Sequence, residues 1–175
     1  MPHGNYTVPA EDAEEAMKLV RSHAEEWHIN PDDIGIMGFS AGGHLASTIA
    51  THSSGKAAPN FQILFYPVIS MEHGITHQGS CDNLLGQKPK RKLISHYSNE
   101  QHVRKSTPRA FIALANDDKA VPPINSLSYF EELMNYKVPA SIYVYPSGGH
   151  GFGILQSFPY HFEMMLELKA WLHSF

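Results

Sequence analysis

Four short apolar runs are spaced along the chain, at positions 34–39, 61–66, 110–115 and 141–145. Each is bounded by polar or turn-forming residues, most often proline, asparagine or aspartate. Apolar runs of this length, without regular polar alternation, are typical of parallel strands that are covered on both faces. The pattern therefore predicts four buried strands.

Apolar residues at helical spacing predict four helices around these strands. The first fills most of the roughly 33 residues before the first strand, and a second, from Gly43 to Ala50, follows that strand directly. Two more are predicted over about 122–136 and about 158–172. The predicted core faces are Ala13, Ala16, Met17, Val20, Ala24 and Trp27 in the first helix, Ile124, Leu127, Phe130 and Met134 in the third, and Phe162, Met165, Leu166 and Leu172 in the fourth. Strands that alternate with helices predict one α/β domain over 1–175, with a mostly parallel sheet and flanking helices.

Residues 70–107 interrupt this alternation. The stretch is polar and rich in glycine, histidine, serine and lysine, and it lies between two predicted strands. We interpret it as a lid-like insertion that shapes a substrate pocket. The alternative is a surface insertion without a role in binding.

Charge and cysteine content narrow the possible partners. The formal net charge of -4 gives no reason to expect nucleic acid binding, and the basic run 88–92 is interpreted as a solvated face of the insertion. The single cysteine, Cys81, cannot form an internal disulfide. No apolar stretch is long enough to predict a membrane span, so no membrane partner is predicted.

The strongest chemical signal is the pentapeptide Gly38-Phe39-Ser40-Ala41-Gly42, which lies between the first strand and the second helix. A G-x-S-x-G sequence in this setting is typical of the nucleophile elbow of an α/β-hydrolase, with Ser40 as the nucleophile. Both glycines are expected to avoid collision with the neighbouring backbone. The alternative is a tight strand-to-helix turn with a surface serine.

An acid and a base follow in the order that this elbow requires, Ser, then Asp, then His. Asp117 and Asp118 come directly after the third strand, and the spacing D-x-x-V-P favours Asp118 as the acid. The alternative is that both aspartates only cap the following helix. His150, one of 12 histidines, lies in a glycine-rich loop after the fourth strand and is the predicted general base.

Serine chemistry also needs donors for the oxyanion. The N–H of Ala41, directly after the nucleophile, is one predicted donor. A second is expected from an upstream HGGG-type loop, but only His3-Gly4 precedes the elbow. We also predict that Phe39, Val121 and Phe152, the apolar neighbours of the three candidates, contact the substrate.

The chain from Pro2 to about Gly153 resembles bacterial esterases of the acetyl xylan esterase type. The resemblance is carried by residues 35–46, 116–122 and 148–152. It implies the α/β-hydrolase fold, a catalytic triad of Ser40, Asp118 and His150, and ester hydrolysis without a cofactor. The implied substrate is a small ester or an acetylated saccharide of plant origin. No metal site is predicted, because the one pair considered, His73 and His77, is interrupted by Gly74 in a loop.

Few residues precede the elbow strand, so we expect the C-terminal portion of such a hydrolase. The first strand should then lie at an open sheet edge, and such edges recruit other chains, which predicts a homo-oligomer. Loss of the second oxyanion donor predicts weak activity. Two other functions stay open: a serine peptidase of the prolyl oligopeptidase type and an inactive hydrolase remnant. Localisation, cytoplasmic or exported in a bacterium, is left open.

Overall fold

The four apolar runs form a single parallel sheet in the computed structural model, which describes residues 5–175. Its strand order is β1-β2-β3-β4, and every strand is parallel to its neighbour. The predicted strands are confirmed to within one residue at each end. Their bounds are Gly35–Phe39 for β1, Phe61–Phe65 for β2, Arg109–Ala115 for β3 and Ala140–Tyr145 for β4.

The two middle strands are the most buried part of the molecule. Every residue of β2 and β3 is buried apart from the first of each strand. The outer strands β1 and β4 are only partly covered. Because helices cover both faces of the middle strands, they have no solvent-facing side that would require polar residues.

Six α-helices and two short 3₁₀ turns complete the described chain. The 3₁₀ turns are Gly55–Ala57 and Asn99–His102. The helices are α1 Val8–Ser22, α2 Ala41–His52, α3 Gln78–Leu85, α4 Arg91–His96, α5 Ile124–Asn135 and α6 His161–Leu172. The predicted α/β fold is confirmed. None of the helices in residues 5–175 is long and apolar enough to cross a membrane.

The predicted core face of the first helix is partly wrong. The helix ends at Ser22, and within it only Met17 is buried. Ala24 is buried in the turn that follows, whereas Trp27 is exposed and stacks on His23 at a ring-centroid distance of 5.0 Å. The periodic pattern continued past the point where the chain leaves the helix.

The predicted faces of the two C-terminal helices are also wrong at most positions, although Phe130 and Met165 do pack against the core. Ile124, Leu127 and Met134 are exposed on α5, and its buried face is formed by Asn125, Ser126, Tyr129 and Leu133. Phe162, Leu166 and Leu172 are exposed on α6, which buries Met164, Leu168 and Trp171.

Satisfied polar groups explain the error on α5. The side-chain oxygen of Asn125 accepts hydrogen bonds from the N–H groups of Ile69 and Ser70, and its amide nitrogen donates to the Ile75 carbonyl. The Tyr129 hydroxyl donates to the buried amide oxygen of Gln62. Polar side chains with such partners can be buried without a large penalty, and an apolar pattern does not identify them.

The insertion 70–107 is folded and packs against α2. It contains α3, α4 and the turn Asn99–His102. An apolar cluster joins Met71, Cys81 and Tyr97 of the insertion to Val68 and Val121, which lie in two loops of the main body. The basic residues 88, 90, 91 and 92 are exposed, as predicted.

Candidate active site

The carboxyl ends of the four parallel strands meet at one edge of the sheet. Ser40 follows β1, Tyr66 follows β2, and Asp117 and Asp118 lie just past β3. His150 lies in the loop after β4. Parallel sheets place ligand sites at this edge, so the topology brings residues that are 110 positions apart in sequence to one place.

Ser40 has the strained backbone of a sharp strand-to-helix turn. Its φ is 53° and its ψ is -119°, a conformation that non-glycine residues rarely adopt. The turn is held by hydrogen bonds from the Ser40 N–H to the Phe65 carbonyl at 3.0 Å and from the Val68 N–H to the Ser40 carbonyl at 3.1 Å. These contacts fix the turn and leave the hydroxyl free to point away from the sheet.

Only one of the two flanking glycines is required by close contact. A Cβ on Gly38 would lie 2.1 Å from the Gly42 carbonyl oxygen, which is backbone and cannot easily move. A Cβ on Gly42 would meet nothing within 4 Å. The expectation that both positions are crowded is therefore wrong for Gly42. The second crowded position is Gly43, where a Cβ would lie 2.7 Å from Pro67.

His150 bridges Ser40 and Asp118. The Nδ1 atom of His150 lies 2.7 Å from Asp118 Oδ2, and its Nε2 atom lies 2.8 Å from Ser40 Oγ. The Asp118 side chain is 1% exposed, whereas His150 is 25% exposed. A carboxylate only accepts, so Nδ1 carries the proton and Nε2 presents its lone pair to the serine hydroxyl.

Asp118 and not Asp117 faces the ring. The second oxygen of Asp118 accepts from the N–H groups of Ala120 and Val121, both at 2.9 Å. Neither aspartate caps the next helix, because α5 begins after Pro123 and has no side-chain cap. Asp118 therefore holds the turn after β3 with one oxygen and the imidazole with the other.

The loop that carries His150 has two anchors that the sequence pattern did not identify. The Asp117 carboxylate accepts a hydrogen bond from the Gly149 N–H at 2.8 Å. The Tyr66 hydroxyl accepts from the Gly153 N–H at 2.9 Å, and the Tyr66 ring lies edge-on to His150 at 4.7 Å. The position of Tyr66 directly after β2, at the shared sheet edge, was the available signal for its role.

Burial raises the pKa of Tyr66, and the nearby Asp118 charge acts in the same direction, although the hydrogen bond from Gly153 opposes both. The hydroxyl is therefore neutral at pH 7. The loop itself depends on glycine, since Gly148, Gly149, Gly151 and Gly153 all have positive φ, between 49° and 142°.

The N–H of Ala41 is available to an oxyanion. Ala41 is the first residue of α2 and is exposed, and the first N–H groups of a helix have no intrahelical acceptor. Within residues 5–175 only α1 precedes β1, so no upstream strand is seen that could supply a second donor loop. His3 and Gly4 lie outside the described residues.

The three predicted substrate contacts are packed against the protein. Val121 is 3% exposed within the apolar cluster of the insertion, and Phe152 is 5% exposed and stacks on Phe158 at 4.0 Å. Phe39 stacks on Phe65 at 4.9 Å. Contact of these residues with a substrate stays a prediction, and their observed contacts are with the core beneath the site.

A cavity of about 510 Å³ lies beside the elbow. Its walls come from α1, from the first turns of α2 and from the insertion, and the residues that line it include Ala10, Ala41, Leu45, Met71, Leu84 and Tyr97. Most of these side chains are apolar. The cavity therefore offers an apolar space next to the N–H that would face an oxyanion.

A parallel sheet with a strained serine turn, an acid after the third strand and a histidine loop after the fourth defines an α/β hydrolase. Solved structures share this fold, and two of them illustrate the similarity. The crystal structure of an acetyl ester-xyloside bifunctional hydrolase from Caldicellulosiruptor lactoaceticus is 34% identical, with a TM-score of 0.89, over 94% of this chain and 65% of that one. An α/β hydrolase from a Medee basin deep-sea metagenome library is 30% identical, with a TM-score of 0.74, over 98% of this chain and 66% of that one.

The chain belongs to the BD-FAE family, whose model matches residues 3–133. A curated relative, the acetylxylan esterase of Xylanibacter ruminicola, is 47% identical over 99% of this chain. The chain spans 37% of the length of that relative. The resemblance to acetyl xylan esterases that the three motifs predicted is thus confirmed.

Proposed function

We propose that this chain hydrolyses carboxylic esters, with Ser40 as nucleophile, His150 as general base and Asp118 as the residue that orients the histidine. The contacts of 2.8 Å and 2.7 Å that link the three side chains carry this proposal. Relatives named as esterases support it.

The reaction follows from the positions of the protons. As Ser40 Oγ attacks the ester carbonyl, its proton passes to His150 Nε2, and the oxyanion takes a hydrogen bond from the Ala41 N–H. The positive imidazolium is stabilised by the buried Asp118 carboxylate. When the alcohol leaves, it takes the proton from Nε2. Water then attacks the acyl-serine, with the same histidine as base, and releases the acid and the free serine.

For the substrate, we propose an acetylated saccharide. The support is the name of the Xylanibacter ruminicola relative and that of the Caldicellulosiruptor lactoaceticus hydrolase, both of which refer to acetyl groups and xylose-based sugars. The cavity beside Ala41 would accept one side of the ester. None of these steps uses a cofactor.

Ser40→Ala tests the proposal. With an aryl acetate as substrate, kcat/KM should fall by about 10⁴ or more, because triad residues act as a unit. Ser54→Ala, an exposed serine just beyond the other end of α2, is the matched control and should keep the parent rate. Acetate release from acetylated xylan fragments then tests the substrate class. Equal rates for Ser40→Ala and the parent chain, or turnover of a proline-linked peptide in place of the ester, would contradict the proposal.

A further inference from the structure

Three histidines meet at the end of α2 that is remote from Ser40. His52 ends α2, His96 ends α4, and His102 ends the turn Asn99–His102. Their ring centroids are 4.5 to 5.8 Å apart. One ring nitrogen from each lies within 4.8 Å of the other two, and this three-histidine cluster is the only group of potential metal ligands of this kind in the part of the chain that the structure describes.

Hydrogen bonds to carbonyl groups fix the tautomers of two rings. His52 Nδ1 lies 3.2 Å from the Thr48 carbonyl oxygen, and His102 Nε2 lies 2.9 Å from the Ser95 carbonyl oxygen. A carbonyl only accepts, so these two nitrogens carry the protons. The opposite nitrogens, Nε2 of His52 and Nδ1 of His102, are left with lone pairs. Metal-bound histidines show this arrangement, in which the second ring nitrogen donates to a carbonyl or carboxylate.

The lone pair on His52 Nε2 accepts no hydrogen bond from the described residues. His52 Nε2 is buried and has no hydrogen-bond partner among residues 5–175. Buried polar atoms without partners are rare and need an explanation. A metal binds the neutral form of the ring through such a lone pair.

We propose that His52, His96 and His102 bind a zinc ion that clamps the insertion 70–107 to the C-terminal end of α2. Three neutral imidazoles without a carboxylate suit zinc, whereas calcium and magnesium prefer oxygen ligands. A tetrahedral zinc at about 2.0–2.1 Å from each nitrogen needs ligand atoms about 3.3 Å apart. The candidate ligand atoms lie within 4.8 Å of one another, so binding would require the side chains to rotate inward, and a water molecule would take the fourth position.

The cluster is remote from Ser40, so a zinc ion here would not act on the ester. His52 is twelve residues after Ser40 along α2, which corresponds to about 18 Å at 1.5 Å per residue. Two of the three ligands belong to the insertion, and His96 is adjacent to Tyr97, which lines the cavity at the elbow. A zinc ion here would fix the insertion to the helix that carries the nucleophile at its other end. Two positive charges lie near the cluster: the exposed Lys92, four residues before His96 on α4, and Arg104, which donates to the carbonyl of Ser53, the residue after His52.

The test is zinc binding by the full chain after removal of any histidine tag and treatment with a chelator. Isothermal titration should show one zinc per chain, and zinc should raise Tm because it binds only the folded state. His96→Ala is the primary variant, because this side chain is exposed and its loss should leave the fold intact. Loss of a residue that only hydrogen-bonds to a metal ligand lowers metal affinity about 10–100-fold. Loss of a ligand itself should therefore lower zinc affinity by about 100-fold or more.

His73→Ala is the matched control, since His73 is an exposed histidine of the same insertion outside the cluster. It should keep the parent affinity and the zinc-dependent rise in Tm. Cobalt in place of zinc should give the visible absorption bands of a tetrahedral centre in the parent chain and in His73→Ala, but not in His96→Ala. No zinc binding below millimolar concentration, or equal binding by His96→Ala and the parent chain, would overturn the proposal. These readouts do not depend on ester hydrolysis.

Discussion

At the scale of single residues, two adjacent aspartates act on the same histidine loop in different ways. Asp118 is buried, and its carboxylate accepts from His150 and from two backbone N–H groups. Asp117 is exposed and accepts only from the Gly149 N–H. The first residue orients the ring, and the second holds the backbone next to it.

Asp118→Asn should lower kcat/KM for an aryl acetate by about 10⁴, because an amide can donate to Nδ1 and so favours the wrong histidine tautomer. Asp117→Ala is the comparison. It removes one partly exposed hydrogen bond, which contributes about 1 kcal/mol to stability, and should reduce the rate far less. A similar loss of rate in both variants would contradict these separate roles.

The glycines of the elbow give a second matched pair. Gly38→Ala places a Cβ against the Gly42 carbonyl, so it should destabilise the fold by about 3 kcal/mol and abolish hydrolysis. Gly42→Ala adds a methyl group in open space at the cavity beside the elbow, so it should raise the free energy of unfolding by up to about 1 kcal/mol and retain measurable hydrolysis. Urea unfolding and an esterase assay on both variants measure this difference. If both variants lost the same stability and activity, the close approach of the Gly42 carbonyl would not explain why position 38 requires glycine.

At the scale of elements, α2 connects the proposed nucleophile, Ser40, to the insertion. Ser40 and Ala41 are at its start, and its middle is bonded to the insertion through His44, whose Nε2 lies 2.8 Å from the Tyr97 carbonyl oxygen. The Asn99 amide donates to the His44 carbonyl and to two α2 hydroxyl groups. The insertion is therefore anchored along the helix, and its role in shaping a substrate pocket stays a prediction.

This anchoring should depend on pH. Burial lowers the pKa of His44 to about 4, against the opposing hydrogen bond to Tyr97 and with the help of the nearby His52. Between pH 6.5 and about 4 the unfolded chain binds a proton that the folded chain does not. Neutral His44 therefore contributes to the free energy of unfolding above pH 6.5. This contribution is lost as the pH falls towards 4, and the complete loss amounts to about 3 kcal/mol.

His44→Gln keeps an N–H donor for the Tyr97 carbonyl but does not titrate. Urea unfolding at pH 7, 6 and 5 should show a smaller loss of stability in this variant than in the parent chain. Some loss of stability at low pH should remain in this variant, because the pKa of His52 is also lowered. His73→Gln, at an exposed position, should leave the pH dependence unchanged. If His44→Gln lost as much stability at low pH as the parent chain, His44 would not be a source of the pH dependence.

At the scale of the whole molecule, the sheet has two outer strands. β1 pairs only with β2 among the described residues, and Met37 on β1 is 52% exposed. Edges of this kind present free N–H and C=O groups to other chains. The homo-oligomer that the sequence predicts through this edge stays a prediction, and it can be tested on this chain.

Met37→Lys should shift the chain towards the monomer, because a charged side chain on an edge strand opposes pairing with a second strand. Light scattering over a concentration series measures the change. Met134→Lys introduces the same charge at a 54% exposed methionine on α5, away from β1, and should leave the assembly unchanged. A parent chain that is monomeric at all concentrations would contradict the prediction.

The sequence by itself determined the strands, the fold class and the residues at the ends of the strands. Apolar runs specify buried strands because both of their faces are covered, and the carboxyl ends of parallel strands must meet at one edge. Ser40, Asp118 and His150 could therefore be proposed as one site before their distances were known. Asp118 could be preferred to Asp117 only through the local spacing to Val121 and Pro122.

Only the tertiary structure decided which helix faces are buried, which glycines are crowded and which distant side chains meet. Asn125 and Tyr129 are buried because partners elsewhere in the chain satisfy their polar groups. Gly43 is crowded by Pro67, a neighbour in space. His52 and His96 lie 44 positions apart, and no local pattern joins them. The physical reason is the same in each case: local periodicity records the conformation of a segment, whereas packing and hydrogen bonding between segments depend on the whole chain.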